Sequence, residues 1–500
     1  MYMRVVFYLL AFLPFTVSAQ RLLTLDSCRA MALRNNKQMG VAKVKQEVAA
    51  NLRKSARTKY LPHVSALGTY QFTSREISLL SDDHKAALNN LGTNAVTDFQ
   101  QGLQQATSGL PMEQIGALLG GMGIPLESLH QLSAGGLQSL GAQLDGIGGR
   151  LVDALHTDTR NLFAGTVMVT QPVFLGGSLI ALNKMADIHE DLQQHSADAR
   201  RQATIYETDK AYWQVVSLRH KQKLAEAYLE VVKKLDADVH RMIEEGVATK
   251  SDGLSVDVKV NEAEMTLTRV NDGLVLSKML LCKTIGLPIN EKITLADEES
   301  ENLAVVSLTP KLDVEAAVEN RPELKMLESG VKLSRQLTNV LKAGNLPMVA
   351  LTGGYAVTNP SLFNSFERKF RGFWNVGVLV RVPIWNWGDV MYKVRASKGA
   401  TAIAELERQE ARELIELQVN QNTFRVEEAN KKLTMAQSNI ERAEENLRTA
   451  NLGFQEGVIT PTTVMEAQTA WLQAQSQKID AEIDVKLSQV DLQKSLGTLY

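Results

Sequence analysis

The chain is poor in the residues that mark compact enzymes and helical membrane proteins. It has only two cysteines, Cys28 and Cys282. They are too few for a disulfide framework: they either pair in an oxidising compartment or stay buried as thiols. Aromatic residues make up 6% of the chain and charged ones 22%, a balance that suits long solvated helices better than one large core. The net charge of −2 gives none of the basic footprint that nucleic acid favours. Past the N-terminus no run of about 18 apolar residues occurs, so no membrane helix is expected. The histidines are scattered, without a His-Glu-x-x-His spacing, and no glycine loop joins a strand to a helix as a phosphate site requires. No catalytic residue, metal ligand or cofactor is assigned, and the chain does not read as an enzyme.

Proline and glycine are also missing from residues 178–245, a run of 68 residues. Charged and polar side chains are mixed through it, and Leu224, Tyr228, Val231 and Leu235 recur at helical steps. So long an unbroken helix, roughly 100 Å at about 1.5 Å per residue, implies a coiled coil or a helical barrel. The stretch occurs twice. Pro172 and Pro383, Gly177 and Gly388, Gly246 and Gly457, Thr249 and Thr460, and Gly286 and Gly497 all stand 211 residues apart. The second long helix, 389–456, holds Gly399 and Gly453 but keeps a heptad seam of Leu433, Ala436, Ile440, Ala443, Leu447, Ala450 and Phe454.

What precedes each long helix is alternating. Arg4, an apolar run over 5–17 and the small-residue site Val17-Ser18-Ala19 read as a secretory signal. Residues 22–60 read as one helix with Asp26 as its N-cap, stopped by Leu61-Pro62. Val64, Ala66, Gly68, Tyr70 and Phe72 then form the apolar face of a strand of membrane-spanning length. At a second offset of 285, Asn35 matches Asn320 and Pro62 matches Pro347. Residues 311–345 thus repeat the helix, and Val349, Leu351, Gly353, Tyr355 and Val357 repeat the strand face. Each half has a second strand. Phe163, Gly165, Val167 and Val169 face one way in the first, and Trp374, Val376, Val378, Val380 and Val382 in the second; Pro172 and Pro383 are expected to end them. The two offsets differ by 74 residues, an insert rich in Gly, Gln and Leu, with Leu118 to Gly123 read as flexible loop. The acidic stretch Asp297-Glu298-Glu299-Ser300-Glu301 reads as a solvated surface loop.

Four strands cannot close a barrel, and open edges in lipid cost several kcal/mol per unpaired group. Two copies would give eight strands and three would give twelve; only the larger ring leaves an open bore. The fold class expected is mainly α with a small β portion: a duplicated unit of helix, two strands and long helical hairpin. The segments are a signal peptide (1–19), a helix (20–62), strands (63–73 and 162–175) around an outer loop insert (74–161), a hairpin (176–286), a linker (287–310), a helix (311–346), a strand pair (347–385) and a second hairpin (386–500). The competing reading is a secreted coiled-coil scaffold or adhesin without a pore, which would not need the alternating strands; a membrane-associated enzyme is a third.

The paired halves, the Gly-Val-x-Thr turns, the strand–proline–glycine–helix junctions at Pro172, Gly177, Pro383 and Gly388, and the ending Leu496-Gly497-Thr498-Leu499 resemble the TolC family of outer-membrane efflux proteins, over nearly the whole chain. The resemblance implies a homotrimer with a twelve-stranded barrel in outer-membrane lipid and a periplasmic α-barrel of helices. It implies an exit duct, in a Gram-negative bacterium, for a periplasmic adaptor (membrane fusion) protein and an inner-membrane pump of the resistance-nodulation-division or ABC class, with no nucleic acid involved.

The hairpin tips are the candidate sites: Gly246, Val247, Ala248 and Thr249 in one, Gly457, Val458, Ile459 and Thr460 in the other. The glycines permit tight turns, the threonines cap the returning helices and Pro461 suits a first-turn position. The resemblance adds that the tips meet the adaptor. Beyond them lie Asp252 and Glu466, whose counterparts are Thr463 and Ser255. In a trimer these carboxylates would ring the periplasmic entrance and favour cations; otherwise they are solvated groups stabilised by the helix dipole. Glu466 matches an acidic constriction residue of the family, while Thr463 departs from a second one. Asp252 matches one member of a closing polar link, but Phe454 stands where a tyrosine, and Ile459 where an arginine, would complete it.

Overall fold

The computed structural model describes residues 21–74, 78, 80–105, 134–156, 160–300, 314–361 and 367–499. The signal reading over 1–19, the tract Leu118 to Gly123 and Glu301 lie outside them. Two compact units form. One is helical, made of the residues before Lys59 with Gly177–Asn345 and the chain from Ile384 onward; the other, Lys59–Gly176 with Leu346–Pro383, holds the four-stranded sheet. Among the described residues no helix is long and apolar enough to cross a membrane.

In the helical unit, β1 (Arg21–Leu23) is followed by α1 (Leu25–Asn35) and α2 (Lys37–Thr58). In the strand unit, β2 (His63–Phe72), α3 (Asp82–Asn89), α4 (Leu91–Gln105), α5 (Ala134–Ala154) and β3 (Asn161–Leu175) come next. The chain returns to the helical unit with α6 (Ser178–Glu244), α7 (Lys250–Ile285), β4 (Ile293–Leu295), α8 (Val314–Asn320) and α9 (Pro322–Lys342). Strands β5 (Met348–Asn359) and β6 (Arg371–Arg381) complete the sheet, and α10 (Asp389–Gln455) and α11 (Pro461–Ser495) complete the helices. Helices α6 and α10 are both 67 residues long. Each starts after a glycine in the left-handed region, Gly177 and Gly388. Every member of the heptad seam on α10 is buried or half-buried. Helix α6 is the hub, packing against α1, α2, α7, α9 and α11. From Ala211 to Val216 all but one of its side chains are buried.

The single helix expected over 22–60 is two helices, and its repeat is likewise divided. The breaks fall at Asn36 and Arg321, which are related by the 285-residue offset. Asn36 leaves the helix because its side chain does two other jobs. Its Oδ1 accepts from the Gln38 N–H at 2.8 Å, and its Nδ2 donates to the Thr284 carbonyl at 2.9 Å. Arg321 precedes Pro322, which drives it to extended geometry (φ −71°, ψ 118°). Its guanidinium donates to the carbonyls of Lys494 and Ser495 at 3.2 and 3.3 Å. Thr284 and Ser495 are related by the 211-residue offset, so each break caps the C-terminus of its own returning helix, satisfying carbonyls that would otherwise be orphaned. The landmarks meet there too. A Cβ on Gly286 would lie 2.6 Å from the Asn35 side chain, and one on Gly497 would lie 3.1 Å from the Asn320 backbone. The N-cap of α1 is Thr24, whose hydroxyl accepts from Ser27 N–H, not Asp26, which sits in the first turn. Strand β1, too short to read in sequence, pairs in parallel with β4.

The sheet runs β2-β3-β5-β6, antiparallel throughout. Register aligns the apolar faces across all four strands: Val64 with Val169, Gly353 and Val376, and Ala66 with Val167, Tyr355 and Trp374. Among the described residues nothing covers that face, with Trp374 77% and Val376 76% exposed. Strand β6 stops at Arg381, before Pro383, but Pro172 does not end β3, which continues to Leu175. A bulge between Pro172 and Phe174 leaves Val173 out of the ladder. The bulge absorbs the missing donor and brings Phe174 onto the apolar face opposite Val349. The insert contributes helices: Asp145 on α5 accepts from the N–H groups of Gly92 and Thr93 at the start of α4, at 2.7 and 3.1 Å. Glycine permits the close contact, since a Cβ at Gly92 would lie 1.9 Å from the Gly141 carbonyl oxygen.

The acidic stretch is not a solvated loop. Residues Ala296–Glu299 form a 3-10 turn clamped onto the helices. The Tyr212 hydroxyl donates to Asp297 at 2.6 Å, Lys278 pairs with the buried Glu298 at 3.0 Å, and Arg219 and Lys223 share Glu299. Cys28 and Cys282 are free, buried thiols in the cluster beneath this turn. Burial, with Cys282 and Asp209 nearby, pushes the Cys28 thiol up to about 12.

Beside them Arg29 on α1 grips Asp209 on α6 with two bonds, Nε to Oδ1 at 2.7 Å and Nη2 to Oδ2 at 2.6 Å. The Asp209 side chain is fully buried. Arg29→Ala should therefore strand a buried carboxylate and destabilise the helical unit by about 3 kcal/mol. The paired change Arg29→Met with Asp209→Leu should recover most of it. Denaturant unfolding of the three proteins checks this; equal losses in the single and double variants would contradict it.

Candidate functional site

The two hairpin turns share the same backbone bonds. Gly246 (φ 78°) and Gly457 (φ 76°) take the left-handed conformation that ends each long helix. The N–H groups of Val247 and Ala248 both reach the Met242 carbonyl, at 2.8 and 3.2 Å; those of Val458 and Ile459 reach Gly453, at 2.8 and 3.1 Å. Thr249 and Thr460 then cap the returning helices, with Pro461 at the first helical position. The outermost apolar side chains, Val247 and Val458, are 68% and 81% exposed.

Beneath the turns one buried cluster joins both hairpins: Leu235 and Val239 of α6, Val256 of α7, Ala450 and Phe454 of α10, and Val464, Met465 and Ala467 of α11. Bulk is exchanged between the copies at one contact: Met242 and Ala248 in the first hairpin correspond to Gly453 and Ile459 in the second. The first hairpin has its own close glycine elsewhere, where a Cβ on Gly253 would sit 2.8 Å from Ile243 Cδ1. In the second the large residue is Ile459 and the space is made by Gly453, at 2.5 Å. Gly453 inside a helix, and Ile459 in place of a polar residue, are thus two halves of one packing solution.

The predicted entrance residues fall in different environments. Asp252 completes a capping box: its carboxylate accepts from Thr249 N–H at 3.0 Å and Thr249 Oγ1 at 2.6 Å, while Thr249 Oγ1 accepts from Asp252 N–H at 3.2 Å. The Thr249 hydroxyl and backbone donors hold this carboxyl below the usual aspartate range. Thr463 takes the equivalent place, its N–H directed to Thr460 Oγ1 at 3.4 Å. Phe454 is buried in the cluster. Glu466 is exposed in the second turn of α11, and no hydrogen bond or ion pair joins it to Asp252. At the other end of the long helices, Gly177 and Gly388 are N-caps, Pro172 lies at the bulge of β3, and Pro383 follows β6. The sequence reading missed the clamp of Asp297, Glu298 and Glu299; basic residues at Arg219, Lys223 and Lys278 were its only signal.

The sequence profile of the family described as outer membrane efflux protein matches residues 132–286 and 314–498. The outer membrane protein TolC of Vibrio cholerae serotype O1 is 22% identical over 314 residues, 60% of this chain and 69% of that protein. Among solved structures, the outer-membrane channel OprN superposes with a TM-score of 0.71 at 15% identity, covering 95% of this chain and 90% of OprN. The CmeC outer membrane channel of Campylobacter jejuni gives 0.69 at 14% identity, with 95% and 86% covered. At such identities these structures establish the fold.

The capping box makes a pH prediction. The folded pKa of Asp252 lies below its unfolded value, so its contribution is complete above the unfolded value and disappears as pH falls through the folded one. Asp252→Ala should lower the melting temperature at pH 7, with the difference from wild type narrowing as pH falls below the ordinary aspartate range. A constant difference across that range would show that the charge of Asp252 contributes nothing to the cap.

Proposed function

The chain belongs to the outer membrane efflux protein family, and from that premise we propose that this outer-membrane channel works as the homotrimeric exit duct of a tripartite efflux or type I secretion system. Its energy would come from an inner-membrane pump, joined through a periplasmic adaptor that docks on the hairpin tips. The observation that carries this reading is the pair of equivalent turns, each presenting one exposed valine, Val247 and Val458, at its apex. Two like apolar points on a rigid, packed base are what a repeating adaptor could grip. Val247→Asp with Val458→Asp should abolish co-purification of the periplasmic adaptor that wild type captures while the oligomer stays intact; unchanged capture would overturn docking at the tips.

The family resemblance and the geometry divide the two carboxylates. Asp252 is engaged in its cap, which favours Glu466 as the lining residue of the entrance. Three copies around one axis would repel one another and favour a bound cation, more so where water is scarce and less so in salt. Glu466→Gln should lower cation selectivity and divalent-cation block in bilayer conductance, and Asp252→Asn should change neither. Selectivity that survives Glu466→Gln in an intact oligomer would remove Glu466 from the pore.

Strand topology supports the orientation. The β2–β3 and β5–β6 connections leave the sheet at one end, where Phe72 faces Asn161 and Thr358 faces Arg371. The chain enters from the helices and returns to them at the other. The insert then faces the cell exterior. Asp83→Cys should react with a membrane-impermeant maleimide on intact cells, against a background of two buried native thiols; labelling only after outer-membrane disruption would reverse the topology.

A further inference from the structure

Just inside the first tip, three side chains from two helices converge. Asp236 and His240 lie one turn apart on α6, and Asp257 lies on α7. One carboxylate oxygen from each aspartate and one ring nitrogen of His240 all stand within 4.8 Å of one another. The His240 Nδ1 is 3.3 Å from Asp236 Oδ1 and 3.0 Å from the Asp236 carbonyl oxygen. Asp236 Oδ1 is itself buried and makes no hydrogen bond. Among the described residues neither aspartate has a lysine or arginine partner: Lys233 pairs with Glu264, Arg241 with Asp238 and Lys259 with Glu262.

Such a cluster must hold a positive charge between its oxygens. A proton on the imidazole is one source and a metal ion is the other. The donor set favours a transition metal over calcium or magnesium, because one of the three donors is an imidazole nitrogen. Ligand atoms around a tetrahedral ion with bonds of about 2.0–2.1 Å stand roughly 3.3 Å apart. The Asp236–His240 pair already has that separation, provided His240 Nδ1 gives up its hydrogen bond to the Asp236 carbonyl, and the Asp257 oxygen lies within 4.8 Å of both ligand atoms. Support is rigid, since Asp236, His240 and Asp257 each follow a residue of the buried cluster, namely Leu235, Val239 and Val256. The duplication supplies an internal control. The equivalent positions in the second hairpin are Leu447, Asn451 and Gln468, so the hairpin fold does not need the charged trio.

We propose that Asp236, His240 and Asp257 form a divalent transition-metal site, of zinc type, that clips α7 to α6 beneath the first hairpin tip. The remaining coordination positions are open to solvent because the His240 side chain is half exposed. The ion would stiffen the first hairpin and leave the second unaffected, making the two tips of each protomer unequal in mobility although they are alike in shape.

The test uses the detergent-solubilised oligomer without a histidine tag, stripped with chelator and titrated calorimetrically with zinc chloride alone. The site predicts one zinc per chain and a melting temperature that rises with zinc. His240→Gln and Asp257→Asn should each weaken binding at least about tenfold and abolish the thermal response. Asp238→Asn, outside the cluster, should leave both unchanged. Absence of binding up to millimolar zinc, or equal binding in all variants, would overturn the site and leave a protonated histidine as the counter-ion. Should the variants not assemble, copper(II) spin resonance on the wild-type oligomer decides: coupling to a single nitrogen supports the site, and none or several contradicts it.

Discussion

Two unpaired backbone edges govern this molecule. Among the described residues strands β2 and β6 each pair on one side only, so each offers a row of unmatched N–H and C=O groups to its surroundings. In water such an edge is a hazard; in hydrocarbon it is untenable. The apolar face in register across the sheet suits these strands to lipid, since among the described residues nothing covers Trp374 or Val376. Closure must come from other copies of the chain. The helices carry the same requirement in a milder form: α2 presents Val41, Val44, Val48 and Leu52, at helical spacing, to the outside.

Duplication explains how one chain meets that requirement economically. Two offsets, 285 before the insert and 211 after it, describe nearly every special position. They meet in space where Asn36 caps α7 and Arg321 caps α11. The chemistry of the cap changed, from amide to guanidinium, while its role stayed. At the tips the exchange is of volume: Met242 and Ala248 in one copy are Gly453 and Ile459 in the other, where the glycine makes room for the isoleucine. Sequence identity between the halves is therefore a poor guide to their structural equivalence. A large and a small residue can trade places across a contact and keep the turn the same.

Much of this was legible because the signals are periodic or positional. The long helices, their glycine-threonine turns and the strand alternation come from spacing alone, and the structure has them within a residue or two. Single-residue competitions were not legible. Proline at 172 removes a ladder donor, which in isolation predicts a strand end; a bulge at Val173 absorbs the loss. The helix break at Asn36 depends on a carbonyl 248 positions away. The acidic stretch at 297–299 looks solvated until Tyr212, Arg219, Lys223 and Lys278 are brought to it by the fold. Of the two entrance carboxylates, local sequence could place Asp252 three residues after a capping threonine, and the structure completes that box. For Glu466, which makes no contact with Asp252, family resemblance remains the source of its assignment.

The central claim is that the strands close only between chains, and the most direct measurement is the mass of the complex extracted from the outer membrane in mild detergent. Native mass spectrometry should give three copies of the chain, with no folded monomer when the complex is diluted. A stable single-chain species that keeps its strand signal in circular dichroism, or a closed dimer, would contradict it.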